Sequence, residues 1–169
     1  MSRVVLETSR LSLREMTSGD LDFLAALLAD PDVMRFYPSP LDREGARAWL
    51  DKTLARYERD GHAFWLATEK ATGEPVGQVG VLLQEVEGER FHEVGYLFAR
   101  AHWKRGFATE AARACRDWAF DKGAPRVISL IRPENLPSAA VARRNGMTIE
   151  RQVTFHNLPH DLWSLRAPQ

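Results

Sequence analysis

Charge of one sign is the first thing this chain lacks. Lys and Arg total 23, Asp and Glu total 23, and the formal net charge at pH 7 is zero. A nucleic-acid binder usually carries a basic excess, so the balance argues against a nucleic-acid partner and leaves only a local basic patch open. Cysteine is nearly absent. The single Cys115 excludes a disulfide framework within the chain and fits a reducing cytoplasm. No apolar run approaches the roughly 20 residues of a membrane span, and the opening MSRVVLETSRLSLRE has no signal-peptide apolar stretch. Neither a Walker loop nor the GxGxxG dinucleotide fingerprint occurs. Internal repeats, linkers and low-complexity tracts are missing too. These absences point to a soluble, cytoplasmic protein without a membrane partner.

What is there reads as one domain over residues 1–169, long enough to bury a sizeable core. RLSLREM (10–16) alternates like a half-buried strand. SGDLDFLAALLADP reads as a helix with Ser18 as N-cap, Asp20 and Asp22 in its first turn, and Pro31 closing it. Residues 42–61 form a second helix, because Ala46, Trp49, Leu50, Leu54 and Tyr57 recur at helical spacing and Gly61 ends the run. Strands follow over 62–70, 75–87 and 91–100, joined by the turns ATGEP and EGER. A helix from about Gly106 to Lys122 carries Ala108, Ala111, Ala112, Cys115, Trp118 and Ala119 on one face. RVISLIR (126–132) is a buried strand. PENLPSAAVARRNGM holds a short helix with Asn135 near its start and Gly146 at its end, and the tail forms two strands joined at HNLPHD. The order describes a single α/β layer domain, with a mixed sheet of six or seven strands flanked by helices.

The stretch HWKRGFATEA (102–111) places Lys104 and Arg105 where a helix begins. The helix dipole puts partial positive charge at that end, so cations there are unfavourable unless an anion sits among them. The free N–H groups of a first turn attract phosphate, and Gly106 spares a Cβ that would block close approach. On this reading, substitution of Gly106 costs binding more than folding. A pyrophosphate site and a simple left-handed turn with solvated cations both fit the loop taken alone.

VGYLFARAHWKRGFATEA resembles the acetyl-CoA-binding motif of the GNAT superfamily of acyl-CoA N-acyltransferases. That motif is a strand, then a loop of the form Q/R-x-x-G-x-G/A opening a helix. Gly106 and Ala108 match, and Trp103 stands where glutamine or arginine is usual. NLPSAAVARRNGM resembles the second motif of the branch containing the ribosomal-protein alanine N-acetyltransferases, and the likeness extends from RLSLRE to HNLPHDLWSLR. The resemblance implies a GNAT-like fold and acetyl-CoA as co-substrate. Backbone groups of Leu97, Phe98, Ala99 and Arg100 would pair with the pantetheine arm. Those of Lys104, Arg105, Gly106, Phe107, Ala108 and Thr109 would cradle the pyrophosphate. Asn135 would bond the cofactor arm, and Arg143 or Arg144 would meet the nucleotide end.

The implied activity is transfer of an acetyl group from acetyl-CoA to a primary amine by direct attack in a ternary complex. The alternative is a catalytically silent acyl-CoA-binding module with a regulatory or interaction role. Acetyl transfer needs a base for the amine and a donor for the leaving thiolate, but no covalent intermediate. Cys115, on an apolar helix face, is expected to be a buried structural thiol. Many relatives place a tyrosine seven residues after the asparagine; here that position is Ala142. Ser138 is the candidate donor to sulfur, with helix capping as its other reading. Glu93 is the candidate base, sharing a strand face with Gly95 and Leu97; an exposed strand glutamate is its other reading. His92 points to the opposite face.

Phe36 and Tyr37, in the proline-bounded PDVMRFYPSP, resemble the family's variable acceptor loop. His156 and His160 are expected to line the acceptor pocket and not to bind metal, since Asn157 and Pro159 suggest a turn without a third ligand. Trp49, Trp65, Trp118 and Trp163 are expected in the core. A small-molecule amine and a protein N-terminus are both compatible acceptors, and a homodimer is left open.

Overall fold

The structure is a computed structural model that describes residues 2–169. Eight strands form one sheet in the order β1-β2-β3-β4-β5-β6-β8-β7. The strands are β1 (Val4–Glu7), β2 (Leu11–Arg14), β3 (Phe64–Glu69), β4 (Pro75–Val86), β5 (Glu89–Phe98), β6 (Arg126–Ile131), β7 (Thr148–Phe155) and β8 (Leu158–Arg166). The helices are α1 (Leu21–Ala29), α2 (Arg43–Asp60), α3 (Phe107–Asp121) and α4 (Leu136–Arg144). This is the mixed α/β sheet expected, with more strands than six or seven. The strand that periodicity missed is β1, four residues whose two end positions are exposed. Its pairing with β2 is also broken by a register shift between Val4 and Leu6, so no clean alternation marks it.

Local chemistry explains the other boundaries. Ser18 is not the N-cap expected. Thr17 caps a 3-10 turn over Ser18–Asp20, in a reciprocal pair with the Asp20 side chain, and α1 starts only at Leu21. Asp42 caps α2 through Gly45 N–H, and Gly61 ends it in the left-handed region at φ 83°. The tail hairpin turns on two residues, His156 (φ 49°) and Asn157 (φ 63°), the two-residue turn that suits strand twist. HNLPHD is therefore not all loop. Pro159 and His160 belong to β8, and Pro159 lies beyond Asp161, the last β8 residue that β6 pairs.

Two apolar layers hold the sheet. α3 packs Phe107, Ala111, Ala112, Cys115 and Ala119 against one face, joined by Trp65, Val79, Val94 and Val127. α1 and α2 cover the other face with Leu24, Leu28, Ala46 and Leu50 against Leu66. Trp65 and Trp163 are core residues as expected, each at most 3% exposed. Trp118 is half-buried and sits edge-on to Trp65 at 5.0 Å. His92 stacks on His62, on the face opposite Glu93.

The feature that positions a site is a parting of strands. β4 and β5 pair along ten residues, but β5 and β6 pair in parallel only at His92↔Val127 and Glu93↔Ile128. Beyond Glu93 the two strands diverge, and the sheet opens into a cleft at the carboxyl end of β5. Ligands of open α/β sheets bind in such a place.

Candidate active site

The cleft is a cavity of about 710 Å3. Its β5 wall is an unpaired strand edge. Ala99 N–H is bonded to Val76 O of β4 (2.9 Å), so by alternation Leu97 also turns its backbone groups toward β4. Val94, Tyr96 and Phe98 face the gap. Ser129 Oγ donates to Val94 O (2.7 Å) and Trp103 Nε1 donates to Phe98 O (2.8 Å). Of the four residues expected to offer backbone to a cofactor arm, Leu97 and Ala99 are therefore turned away. Arg100 lies past the end of β5, and its carbonyl accepts from Trp103 N–H in a 3-10 turn (3.2 Å). Phe98 remains, and Tyr96, which sequence reasoning did not single out, joins it.

At one end of the cleft stands the start of α3. Gly106 is its N-cap, and no side chain caps the turn, whereas α2 and α4 are capped by Asp42 and Asn135. The first N–H groups of α3 are thus free to meet an anion. Lys104, Gly106, Phe107, Ala108 and Thr109 all border the cavity. Lys104 makes no ion pair among the described residues. Arg105 is different from what its place in the loop suggests: its guanidinium pairs with Glu69 and lies over the Phe107 ring at 4.4 Å. That resolves half of the unfavourable charge at the helix start internally, and because the Arg105 carbonyl accepts from Arg10 Nη1 (2.7 Å), its backbone N–H is what is left for a ligand. Glu110, in the first turn, is held from outside by Thr8 and Arg10. The loop is thereby tied to the β1–β2 turn.

Gly106 has φ 80°, and a Cβ built there would lie 3.3 Å from Arg10 Nη2, against protein. This corrects the expectation that the glycine serves chiefly to admit phosphate. Its first role is conformational, because a left-handed position costs an ordinary L residue about 1–2 kcal/mol and a β-branched one more. Gly106→Val is therefore expected to lower the unfolding free energy by at least that much, and to weaken coenzyme A binding in parallel. Denaturant melts and calorimetric Kd measured on the same preparation check it.

The floor of the cleft carries Glu93, whose residue is 9% exposed; the exposed-glutamate reading is excluded. Gln84 Nε2 donates to Glu93 Oε1 (3.0 Å). The Gln84 amide is oriented by Arg56, whose Nη2 donates to Gln84 Oε1 (3.4 Å); a guanidinium only donates, so the amide nitrogen must face the carboxylate. Burial pushes the Glu93 carboxyl above the usual carboxylate range. The Gln84 bond, the Arg56 charge and a Leu130 backbone bond pull the other way. Burial also pushes the Tyr96 phenol up, and its hydroxyl donates to Ser138 O (3.0 Å).

Asn135 Oδ1 accepts from Ser138 N–H (3.2 Å) and caps α4. Ser138 is therefore the capped residue, not the cap. Its hydroxyl has no partner among the described residues and borders the cavity. The Asn135 amide nitrogen likewise keeps its donors. Arg144 borders the cavity, whereas Arg143 lies over the Trp163 ring at 5.2 Å; of the two arginines, Arg144 alone faces the cleft. Burial pushes the Cys115 thiol up and keeps it neutral, in line with a structural role.

Phe36, Tyr37, His156 and His160 all border the same cavity. Burial lowers the pKa of both histidines, with neighbouring cations adding to it, which favours neutral imidazoles at pH 7. Trp49 was expected in the core, yet it is only half-buried. It lines the cavity between Tyr37 and Phe64. Helical spacing identified the inward stripe of α2 but not that part of it faces open space. Among the described residues, no group of three His, Cys, Asp or Glu side chains is placed to hold a metal ion. No helix of the described residues is long and apolar enough to cross a membrane.

The acetyltransferase (GNAT) domain matches residues 10–148. The chain belongs to the GNAT acetyltransferase family. The uncharacterized protein YkkB of Bacillus subtilis (strain 168) is 38% identical over 160 residues, spanning 94% of this chain and 93% of that protein. The uncharacterized N-acetyltransferase p20 of Bacillus licheniformis is 31% identical over 150 residues, 87% of this chain and 83% of its own length. The crystal structure of the acetyltransferase from Agrobacterium tumefaciens str. C58 superposes with a TM-score of 0.84 at 30% identity, covering 98% of this chain and 96% of that one. RimL, a ribosomal L7/L12 alpha-N-protein acetyltransferase solved in complex with coenzyme A, shares the fold at 16% identity and a TM-score of 0.78, over 97% and 98% of the chains. In this GNAT acetyltransferase the basic glycine loop stands at the uncapped start of α3.

Proposed function

We propose that this GNAT protein moves an acetyl group from acetyl-CoA to a primary amine by direct attack in a ternary complex, within one domain. The reading rests above all on the cleft opened where β5 and β6 part, with a free helix N-terminus at one end and a buried carboxylate at the other. Acetyl-CoA supplies an acyl thioester, activated toward amines. The residues present fit it. Lys104 and the first-turn N–H groups of α3 hold the pyrophosphate, Tyr96 and Phe98 backbone groups and the Asn135 amide meet the pantetheine arm, and Arg144 meets the nucleotide end. Support for the cofactor also comes from RimL, which shares the fold and is described with coenzyme A bound.

Glu93 takes the proton that the amine must lose, directly or through one water, as its nitrogen bonds to the acyl carbon and the carbon–sulfur bond breaks. Ser138 Oγ donates a hydrogen bond to the departing sulfur. Phe36, Tyr37, His156 and His160 surround the acceptor, a small amine or a protein N-terminus. The test is thiol release from acetyl-CoA against a panel of amines and peptides. Amine-dependent release supports transfer; tight coenzyme A binding without release for any acceptor would instead make the protein a silent acyl-CoA-binding module.

Ser138→Ala is expected to lower kcat about tenfold, the worth of one hydrogen bond formed mainly in the transition state. Coenzyme A affinity should stay nearly constant, because the hydroxyl does not cap α4. Steady-state kinetics beside a coenzyme A titration separate the two. An unchanged kcat removes Ser138 from the mechanism.

A further inference from the structure

Glu93 lies five residues back along β5 from Phe98, roughly 17 Å at strand rise. The end of the cavity around Glu93 is therefore distant from the helix start that suits phosphate. At this end α2 presents two cations one helical turn apart, Lys52 and Arg56, and both border the cavity. Neither is in an ion pair among the described residues, whereas the other charged groups nearby are matched. Arg132 pairs with Glu134 (2.8 Å), and Asp32 pairs with Arg100 (2.7 Å). His156, at the tip of the β7–β8 hairpin, is close enough to feel the charge of both Lys52 and Arg56. Glu93 is the carboxylate at this end, and its bond goes to Gln84, one amide away from Arg56.

Arg56 is the unusual member. It is 9% exposed, and its Nη1 is buried with no hydrogen-bond partner. The carboxylate at this end, Glu93, is reached only through the Gln84 amide; a buried guanidinium without a direct counter-ion is costly, and buried donors are nearly always satisfied. Phe36, Tyr37, Trp49 and Phe155 line the space beside it. A polyamine or an aminoglycoside would bring further positive charge against Lys52 and Arg56. An acceptor with a negative pole would give Lys52, and the part of the Arg56 guanidinium that borders the cavity, a direct counter-ion.

Resting on the acetyl-transfer reading, we infer that the acceptor is a small amine that also carries a carboxylate: its amine lies toward Glu93, its apolar body lies among the aromatic rings, and its carboxylate is held by Arg56 and Lys52. Lys52 and Arg56 are then specificity-determining residues. Their planar and point-charge donors match one carboxylate from two sides.

The test compares two amines of similar basicity, 4-(aminomethyl)benzoate and benzylamine, as acceptors in the thiol-release assay. The wild-type kcat/KM ratio is expected to favour the carboxylate compound by about tenfold or more. Lys52→Glu is expected to bring that ratio to one or below. Comparing a ratio within each enzyme removes any loss common to both acceptors. Release with benzylamine equal to or faster than with 4-(aminomethyl)benzoate overturns the inference and leaves acetyl transfer standing. Where neither compound is turned over, thermal melts in the presence of saturating coenzyme A read the same inference. 4-(Aminomethyl)benzoate should raise the wild-type midpoint more than benzylamine does, and Lys52→Glu should erase the difference. Equal shifts in the wild type overturn it.

Discussion

Glu93→Gln is expected to lower kcat/KM for a fully protonated amine by about 10²–10⁴, the usual worth of a general base. The amide keeps the shape of the side chain and can still pair with Gln84 after an amide rotation, so the site should remain folded. Only the proton acceptor is lost. The effect should depend on the acceptor: an amine of low pKa arrives neutral and needs less help. The pH profile carries a second signature. Burial raises the Glu93 pKa, and the active form is the deprotonated one. Activity of the wild type therefore rises with pH along a limb set above the ordinary carboxylate range, and Glu93→Gln should lack that limb. Full activity of Glu93→Gln on a high-pKa amine would remove Glu93 as the base and turn attention to His156 or His160.

Coenzyme A is expected to stabilise the fold. A ligand at 100 times its Kd, binding only the native state, adds about 2.7 kcal/mol, which for a chain of this size is roughly 5–11 °C in Tm. The motive is structural. The N-terminus of α3 has no side-chain cap, Lys104 faces the cleft with a positive φ of 62°, and the β5 edge is unpaired beyond Glu93. The uncapped N–H groups, the Lys104 charge and the open strand edge are each unmatched in the free protein, and bound phosphate and an extended arm would match them. Thermal melts with and without millimolar coenzyme A decide the matter, and an unchanged midpoint would count against the whole cofactor site. Lys104→Glu should reduce the shift, because it sets a negative charge against the pyrophosphate. Arg105→Gln should reduce it much less, since Arg105 is already paired with Glu69; any loss of intrinsic stability there appears in the melt without ligand.

The sequence by itself determined most of the elements and the place of the basic glycine loop at the start of a helix. Side-chain period is a local property: the apolar stripes of α2 and α3 and the runs of β3 to β6 follow from backbone geometry, whatever surrounds them. Gly61 and Asp42 bound α2 by their own conformational preferences. The glycine after two cations marked the start of α3, and Asn135, Pro137 and Gly146 marked α4, because turn and capping preferences act within a few residues.

The tertiary structure alone decided what each loop and face meets. That Arg105 is paired with Glu69 while Lys104 is not depends on partners many residues away. So does the burial of Glu93, which needs β4, β6 and α2 around it. The inward stripe of α2 holds Leu50 in the core and Trp49 on the cavity. Spacing cannot separate the two, since both point inward and only the divergence of β5 from β6 leaves space beside one of them. The capping role that the sequence left open for Ser138 fell to Asn135 for the same reason: three residues apart at a helix start, either side chain is chemically able to cap, and the fold of the preceding turn chose Asn135 and left the serine hydroxyl without a partner among the described residues.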